Sequence, residues 1–347
     1  MMKSQSTNWK GNIPVTLSLA PSSLSSPVMP SPVHCMVSRQ TYLHLALEDE
    51  IRMFHEFAPM VANFIKSVEQ SASDDIDDSG NHDDVGKVKR ESIEGKTDNN
   101  VSTSTKSSYP KCWFEDEDTG TPLRWHLFAG LLYDLLKLRK IKTSNDAKMS
   151  SLPWKIRVHY TSYPHTILPL DDDIPQIIFQ NYLNSLKQAL YIQHNSNRVV
   201  NKMTKQNHIQ LWDGIKRCKF DVYNEISLWL NRGNGSGGGE EKNDSEDNIT
   251  LEHVPIKVLI DGKPSFARPC KQYKENGSLV TIGDVLYEWL PNLFPFTSDE
   301  NNNAKNNIIC SWCIQGINVP VDTPVSDLWK ALSHPDRFLY ITVVSPI

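Results

Sequence analysis

Near the end of the chain, Ile256-Lys-Val-Leu-Ile260 runs into Asp261-Gly262 and then into a second short run, Ser265-Phe-Ala-Arg268. Asp-Gly between two such runs predicts a tight hairpin, because its turn needs positive φ. Thr281 then caps a stretch carrying Ile282, Val285, Leu286, Trp289 and Leu290 at helical spacing. Ile308 to Ile314 and Ile317 to Pro320 predict two short strands around Gly316. Ser326 to Leu332 predicts a brief helix, and Phe338 to Val344 a last strand. The order ββαββαβ leaves few compact solutions. A small mixed sheet with a helix laid across it, the β-grasp, is the simplest.

The first part of the chain repeats that order with longer connections. Ile13 to Leu19 and Cys35 to Val37 predict a wide hairpin, extended by Thr41 to Leu45. A helix is expected from Glu48 through Ile51, Phe54, Phe57 and Val61 to Ile65. Cys112 to Phe114 and Thr121 to Trp125 predict strands around Thr119-Gly120, Leu127 to Leu136 a helix, and Trp154 to Tyr160 the closing strand. The repeat is one of element order more than of residue identity.

Between these blocks the pattern is helical. Ile174, Ile178, Tyr182, Leu186, Ala189 and Leu190 recur along a stretch from Ile174 to Met203. Ile209, Trp212, Ile215, Phe220, Tyr223, Ile226 and Trp229 do so along Gln206 to Leu230. Neither stretch is long enough to stand alone in water, so both must pack on each other or on their neighbours. Three polar segments break the pattern, the shortest of them Thr297 to Asn307. From about Ser71 to Ser108 the chain is mostly Asp, Ser, Lys, Asn and Thr, a composition expected to be disordered because it buries too little to offset its ordering entropy. Asn231 to Asn248 contains GNGSGGGEEKNDSEDN and reads as a flexible linker. The expected organisation is α+β: a first β-grasp over 9–160, a helix-rich domain over 171–230, a linker over 231–250 and a second β-grasp over 251–347.

The 347 residues carry a net charge of -5 with pI near 6.1, which argues against a broadly basic nucleic-acid binder. No apolar run approaches the ~18 residues of a membrane span. The start, MMKSQSTNWKGNIPV, lacks the apolar stretch of a signal peptide. The expected setting is therefore the cytoplasm, with reduced cysteines. Of the six cysteines, only Cys310-Ser-Trp-Cys313 has metal spacing, and no second close pair completes a zinc site. No metal or cofactor is expected.

Several segments together resemble the autophagy protein 5 family. They are Cys112-Trp-Phe-Glu, Gly120-Thr-Pro-Leu-Arg-Trp-His126, Gly130-Leu-Leu-Tyr-Asp-Leu-Leu136, Pro153-Trp-Lys-Ile-Arg-Val-His-Tyr160, Gln210-Leu-Trp-Asp-Gly214 and Pro335-Asp-Arg-Phe-Leu-Tyr-Ile-Thr342. They fall in order along the folded chain from Trp9 to Val344. The resemblance implies two ubiquitin-like β-grasp domains flanking a helix-rich domain. It further implies a non-catalytic scaffold in autophagy, joined through a lysine isopeptide bond to the ubiquitin-like autophagy protein 12. The conjugate would bind a helix of autophagy protein 16 and promote lipidation of autophagy protein 8 at the preautophagosomal structure membrane.

The family's acceptor lysine lies in the first central helix, in a context that here matches Tyr182-Leu-Asn-Ser-Leu-Lys187, with Val199-Val200 downstream. The resemblance therefore implies Lys187 as the acceptor, with Lys202 and Lys205 as the nearest rivals. At 100° per residue Lys187 falls about 180° from Ile178, among Gln180, Asn184 and Tyr191, clear of its own helix's core face. A lysine amine is almost wholly protonated at neutral pH, so conjugating machinery must desolvate or deprotonate it. A lysine on a polar helix face is ordinarily just a solvated charge; the matched context is what singles this one out.

Two other readings compete. A cysteine hydrolase would use Cys112 with His126 or His159, although Cys112 opens a strand rather than a helix. An unconjugated adaptor would seat a partner helix in a groove lined by tryptophans such as Trp9, Trp125, Trp212 and Trp229, each of which equally suits a core. Lys137-Leu-Arg-Lys-Ile-Lys142 is a basic cluster that reads either as a lipid contact or as a solvated loop.

Overall fold

The computed structural model describes residues 2–58, 110–143, 152–170, 173–196, 198–232, 253–295 and 310–344. Helix α1 (Met2–Trp9) leads into β1 (Asn12–Leu19), where Ile13, Val15, Leu17 and Leu19 are buried at the period of two expected of a strand with one wet face. It pairs antiparallel with β2 (Val33–Ser38). The expected extension Thr41 to Leu45 is not a strand. Leu43, His44 and Leu45 are buried in succession, a pattern alternation cannot make, and they begin the short helix α2 (Leu43–Ala46). Helix α3 (Glu48–His55) follows; most of the rest of the helix expected to Ile65, and the segment 71–108, lie outside the described residues.

Strands β3 (Trp113–Asp116) and β4 (Thr121–Pro122) pair antiparallel around Gly120, which sits at φ +65°. Asp116 Oδ2 fixes this turn, accepting from the Thr119 amide at 3.0 Å and its hydroxyl at 2.7 Å. The strand expected to reach Trp125 stops at Pro122, which has no N–H for the ladder. Helix α4 (Ala129–Thr143) and β5 (Trp154–His159) complete the unit. The sheet order is β2-β1-β5-β3-β4, with β1 and β5 parallel at its centre.

The middle of the chain forms α5 (Ile174–His194), α6 (Arg198–Asn201), α7 (Lys205–Lys216) and α8 (Phe220–Arg232). Asp173 caps α5 by accepting from the Gln176 amide, and Thr204 caps α7 by accepting from Asn207. The two long helical stretches expected from periodicity are each broken by a residue in the left-handed region, Asn195 at φ 50° and Cys218 at φ 51°. Hydrophobic period cannot show such breaks. Gly214 lets α7 and α8 approach: a Cβ there would stand 2.9 Å from the Tyr223 amide nitrogen.

The second sheet is built from β6 (His253–Ile260), β7 (Phe266–Lys271), β8 (Ser311–Cys313) and β9 (Leu339–Val344), in the order β7-β6-β9-β8, with helices α9 (Ile282–Trp289) and α10 (Val325–Leu332). Its central pair, β6 and β9, is again parallel. Thr281 and Asp284 close a reciprocal cap at the start of α9. The strand expected over Ile317 to Pro320 shrinks to one bridge, Ile314 to Ile317, across a turn with Gln315 and Gly316 at φ 52° and 73°. All of β9 is buried, because α4 covers the sheet face that a lone β-grasp would leave wet and α5 packs against β6.

The fold is thus α+β, with two β-grasp units around a helix-rich region. One continuous core joins the first unit to α5, α7 and α8 and reaches Leu259, Phe338 and Tyr340 of the second. The second unit keeps a core of its own, centred on Ile256, Val285, Leu328 and Ile341.

Candidate acceptor site

Lys187 stands on α5, and its position depends on what grips the rest of that helix. Ile174, Ile178, Tyr182, Leu186, Ala189 and Leu190 are buried. From the second unit, the loop after α10 reaches back: the Tyr182 and Tyr223 hydroxyls both donate to the Pro335 carbonyl, at 3.1 and 3.0 Å. Arg337, itself buried, donates through Nε to Gln193 Oε1 at 3.0 Å and lies 5.5 Å from the centre of the Trp329 ring. Asp336 accepts from the Tyr340 hydroxyl at 2.6 Å, and burial pushes its carboxyl up to about 6. These contacts clamp the buried side of α5 and leave its other side to solvent.

On that other side Asn184 and Gln188 are exposed and Tyr191 is 57 % exposed, but Lys187 is half-buried. Counted against Ile178 alone, Lys187 falls clear of the helix's core face. The structure adds a flank: Phe179, Leu183 and Lys187 form one i, i+4, i+8 row, and that row borders α7. Phe179 packs on α7 with its ring 4.9 Å from Trp212 and 6.4 Å, edge to face, from His208. Burial, then the Lys187 charge, hold the His208 imidazole below its ordinary range. Among the described residues no carboxylate pairs with the Lys187 amine. Lys202 and Lys205 are exposed on the connection into α7 and on its first turn. Periodicity gave no sign of His208; its only trace in sequence is its place one helical turn before Trp212, next to the Gln210-Leu-Trp-Asp-Gly214 segment.

The hydrolase residues do not assemble. Cys112 is fully buried, which pushes its thiol far above the range of a reactive thiolate, and its carbonyl faces His44 Nε2 at 3.1 Å. His159 stacks on Trp113 at 3.9 Å and meets Glu115 Oε2 at 2.7 Å. Burial holds His126 down to about 4. Among the described residues no hydrogen bond links Cys112 to either histidine. Trp9 and Trp125 are buried, Trp9 against Phe220 and Tyr223, and Trp212 and Trp229 are partly buried against the same core. In the basic cluster, Leu138 is buried and the Arg139 guanidinium is bonded to Asp261 of the second unit, Nε to Oδ2 at 2.9 Å. Arg139 is therefore part of a joint between the units.

Three family models match in sequence order: Autophagy protein ATG5, UblA domain at residues 8–72 and 91–160; its alpha-helical bundle region at 175–230; and its UblB domain at 253–343. The chain belongs to the autophagy protein 5 family. Autophagy protein 5 of Phaeosphaeria nodorum is 26% identical over 257 residues, covering 67% of this chain and 75% of that one. That of Debaryomyces hansenii is 25% identical over 247 residues, covering 69% and 76%. The crystal structure of Kluyveromyces marxianus Atg5 superposes with a TM-score of 0.61 at 18% identity, covering the whole of both chains. That likeness supports the fold. Both sheets and the helical bundle described above coincide with the family's three domains.

Proposed function

We propose that this chain is a non-catalytic acceptor and scaffold, conjugated at Lys187 to autophagy protein 12. Membership of the autophagy protein 5 family gives it a role in autophagy and partners in that pathway. The finer reading follows from the family resemblance together with one observation. Lys187 offers an amine with no carboxylate partner among the described residues, on a helix clamped from behind by the second unit. An acceptor needs that combination: a fixed helix, so that approach is geometrically defined, and an amine not already committed to an ion pair. The conjugate then binds autophagy protein 16 through a helix and promotes lipidation of autophagy protein 8. Its work is cytoplasmic and peripheral to the preautophagosomal structure membrane. In this reading, contact with that membrane comes through the complex; no helix among the described residues is long and apolar enough to cross a bilayer. The experiment is Lys187→Arg in cells: the conjugate band disappears while the protein stays folded. Conjugation at full yield in that variant contradicts the assignment and leaves the adaptor reading.

A further inference from the structure

The second sheet has an open edge along β7. Strand β6 pairs with one side of β7, and among the described residues no strand pairs with the other. The register fixes which backbone groups face outward. Pro255 stands opposite Pro269, and two prolines cannot exchange N–H bonds, so theirs is a non-hydrogen-bonded pair. Arg268 and Cys270 therefore turn their N–H and C=O groups to β6, and Ala267, Pro269 and Lys271 turn theirs outward. Beside this edge, between β7 and α9, lies an open groove of about 940 Å³. Cys270 and Val285, both buried, lie at its bottom, and Tyr273, Tyr287 and Trp289 line its sides. Arg268, on the same side of the sheet as Cys270, lies 5.0 Å from the centre of the Phe266 ring and 5.8 Å from that of Trp289. Those rings hold its exposed guanidinium at the end of the groove. Lys274 is taken by Asp284 at 2.7 Å, but among the described residues no carboxylate pairs with Arg268 or Lys271.

We propose that β7 takes up an extended, acidic segment of a partner protein as an added strand, with one apolar side chain seated in the groove. In antiparallel pairing that segment runs from Lys271 toward Phe266. Its residue opposite Cys270 drops a side chain into the groove, the residue before it lies opposite Lys271, and the residue two further on lies opposite Arg268. The order selected is acidic, apolar, any, acidic. The run from Gly262 to Lys274 carries Lys263, Arg268, Lys271 and Lys274 and no carboxylate, so the strand side of the groove attracts acid. Glu288 on α9 keeps those acids away from the helix side. A second copy of this chain does not suit the edge. Pairing β7 with itself about Pro269 sets two carbonyls face to face with no donor between them. It also brings Arg268 and Lys271 of both copies onto one short seam, the usual effect of proline and lysine on an edge. A partner with any other residue there donates its N–H to the Pro269 carbonyl. This site is separate from Lys187 and does not depend on the acceptor assignment.

The probe is a fluorescein-labelled peptide, Ser-Gly-Asp-Leu-Thr-Glu-Gly-Ser, titrated with the full chain and read by fluorescence anisotropy. It should bind with a Kd on the order of 100 μM, the scale of a short strand with one anchoring side chain. N-methylation of its Thr amide removes the bond to the Pro269 carbonyl and should weaken binding about tenfold. Arg268→Glu should also weaken it about tenfold, and exchanging the peptide's Glu for Lys should restore binding to that variant, a rescue that a misfolded protein cannot give. No saturation up to about 1 mM overturns the proposal. So does a Kd that either the N-methyl group or the charge exchange leaves unchanged. A dimer in sedimentation that the peptide disperses overturns it too, because the edge would then belong to a second copy. The acceptor role is read separately, by conjugation of Lys187→Arg in cells.

Discussion

The two β-grasp units share one plan and differ in how they are held. Each has a parallel central pair, β1 with β5 and β6 with β9, flanked by antiparallel neighbours. The first has five strands and no core of its own; its apolar residues run on into those of α5, α7 and α8. The second has four strands and a separate core, and it meets the rest through one sheet face and the buried loop at Pro335, Asp336 and Arg337. A sequence repeat in element order thus hides an energetic asymmetry. The helices and the first unit should behave as one cooperative body, and the second unit, with a core of its own, as a body tied on through one sheet face and that loop.

The largest effect comes from cutting that joint. Arg337→Ala strands the buried Gln193 Oε1, removes a part-buried bond to the Ser227 carbonyl and takes the cation off the Trp329 ring. It should cost about 3 kcal/mol and split a single thermal transition into two, as seen by calorimetry. A single transition, merely shifted, would show that the two bodies are one.

Acid should loosen the first body before the second. Burial holds His44 and His126, both in the first unit, down to about 4. A histidine whose folded pKa lies below its unfolded value costs nothing above about pH 6.5 and destabilises progressively as pH falls toward 4. At the joint two groups oppose each other: His334 is pushed down, whereas Asp336 is pushed up to about 6 and so gains stability on protonation. Between pH 7 and 5 the first body should therefore lose about 2 kcal/mol for each of these two histidines, read as loss of amide protection in β1 and β5. Uniform loss across both sheets would contradict the asymmetry.

A smaller probe confines damage to one core. Ile341→Val deletes one buried methyl in the second unit and should cost about 1 kcal/mol. Faster hydrogen exchange should appear in β6 and β9 and not in α5. The smallest effect is at Arg139. Its pair with Asp261 bridges the units, but the two side chains are 33% and 20% exposed. Arg139→Ala should shift stability by no more than about 0.5 kcal/mol.

Element order and turn chemistry carried most of this fold. Asp261-Gly262, the Thr281 cap and the alternation of β1 each declared themselves through local physics. What periodicity missed was set by contacts distant in sequence. Thr41 to Leu45 is apolar enough for a strand, but it is buried on every side and turns into α2. β9 reads as any apolar run; only the packing of α4 explains why none of it is wet. Lys187 was legible through its neighbours in the chain. The half-burial of Lys187, by contrast, is set by the packing of α5 on its neighbours, which the helical wheel of α5 cannot contain.

The central claim is that the amine on α5 is where this protein is joined to its partner. Mass spectrometry of the protein purified from cells tests it directly, by searching for a peptide in which a C-terminal glycine is linked to a lysine side chain. The account predicts that branch at Lys187. A branch at Lys202 or Lys205, or a cellular form that carries none while autophagy proceeds, would contradict it.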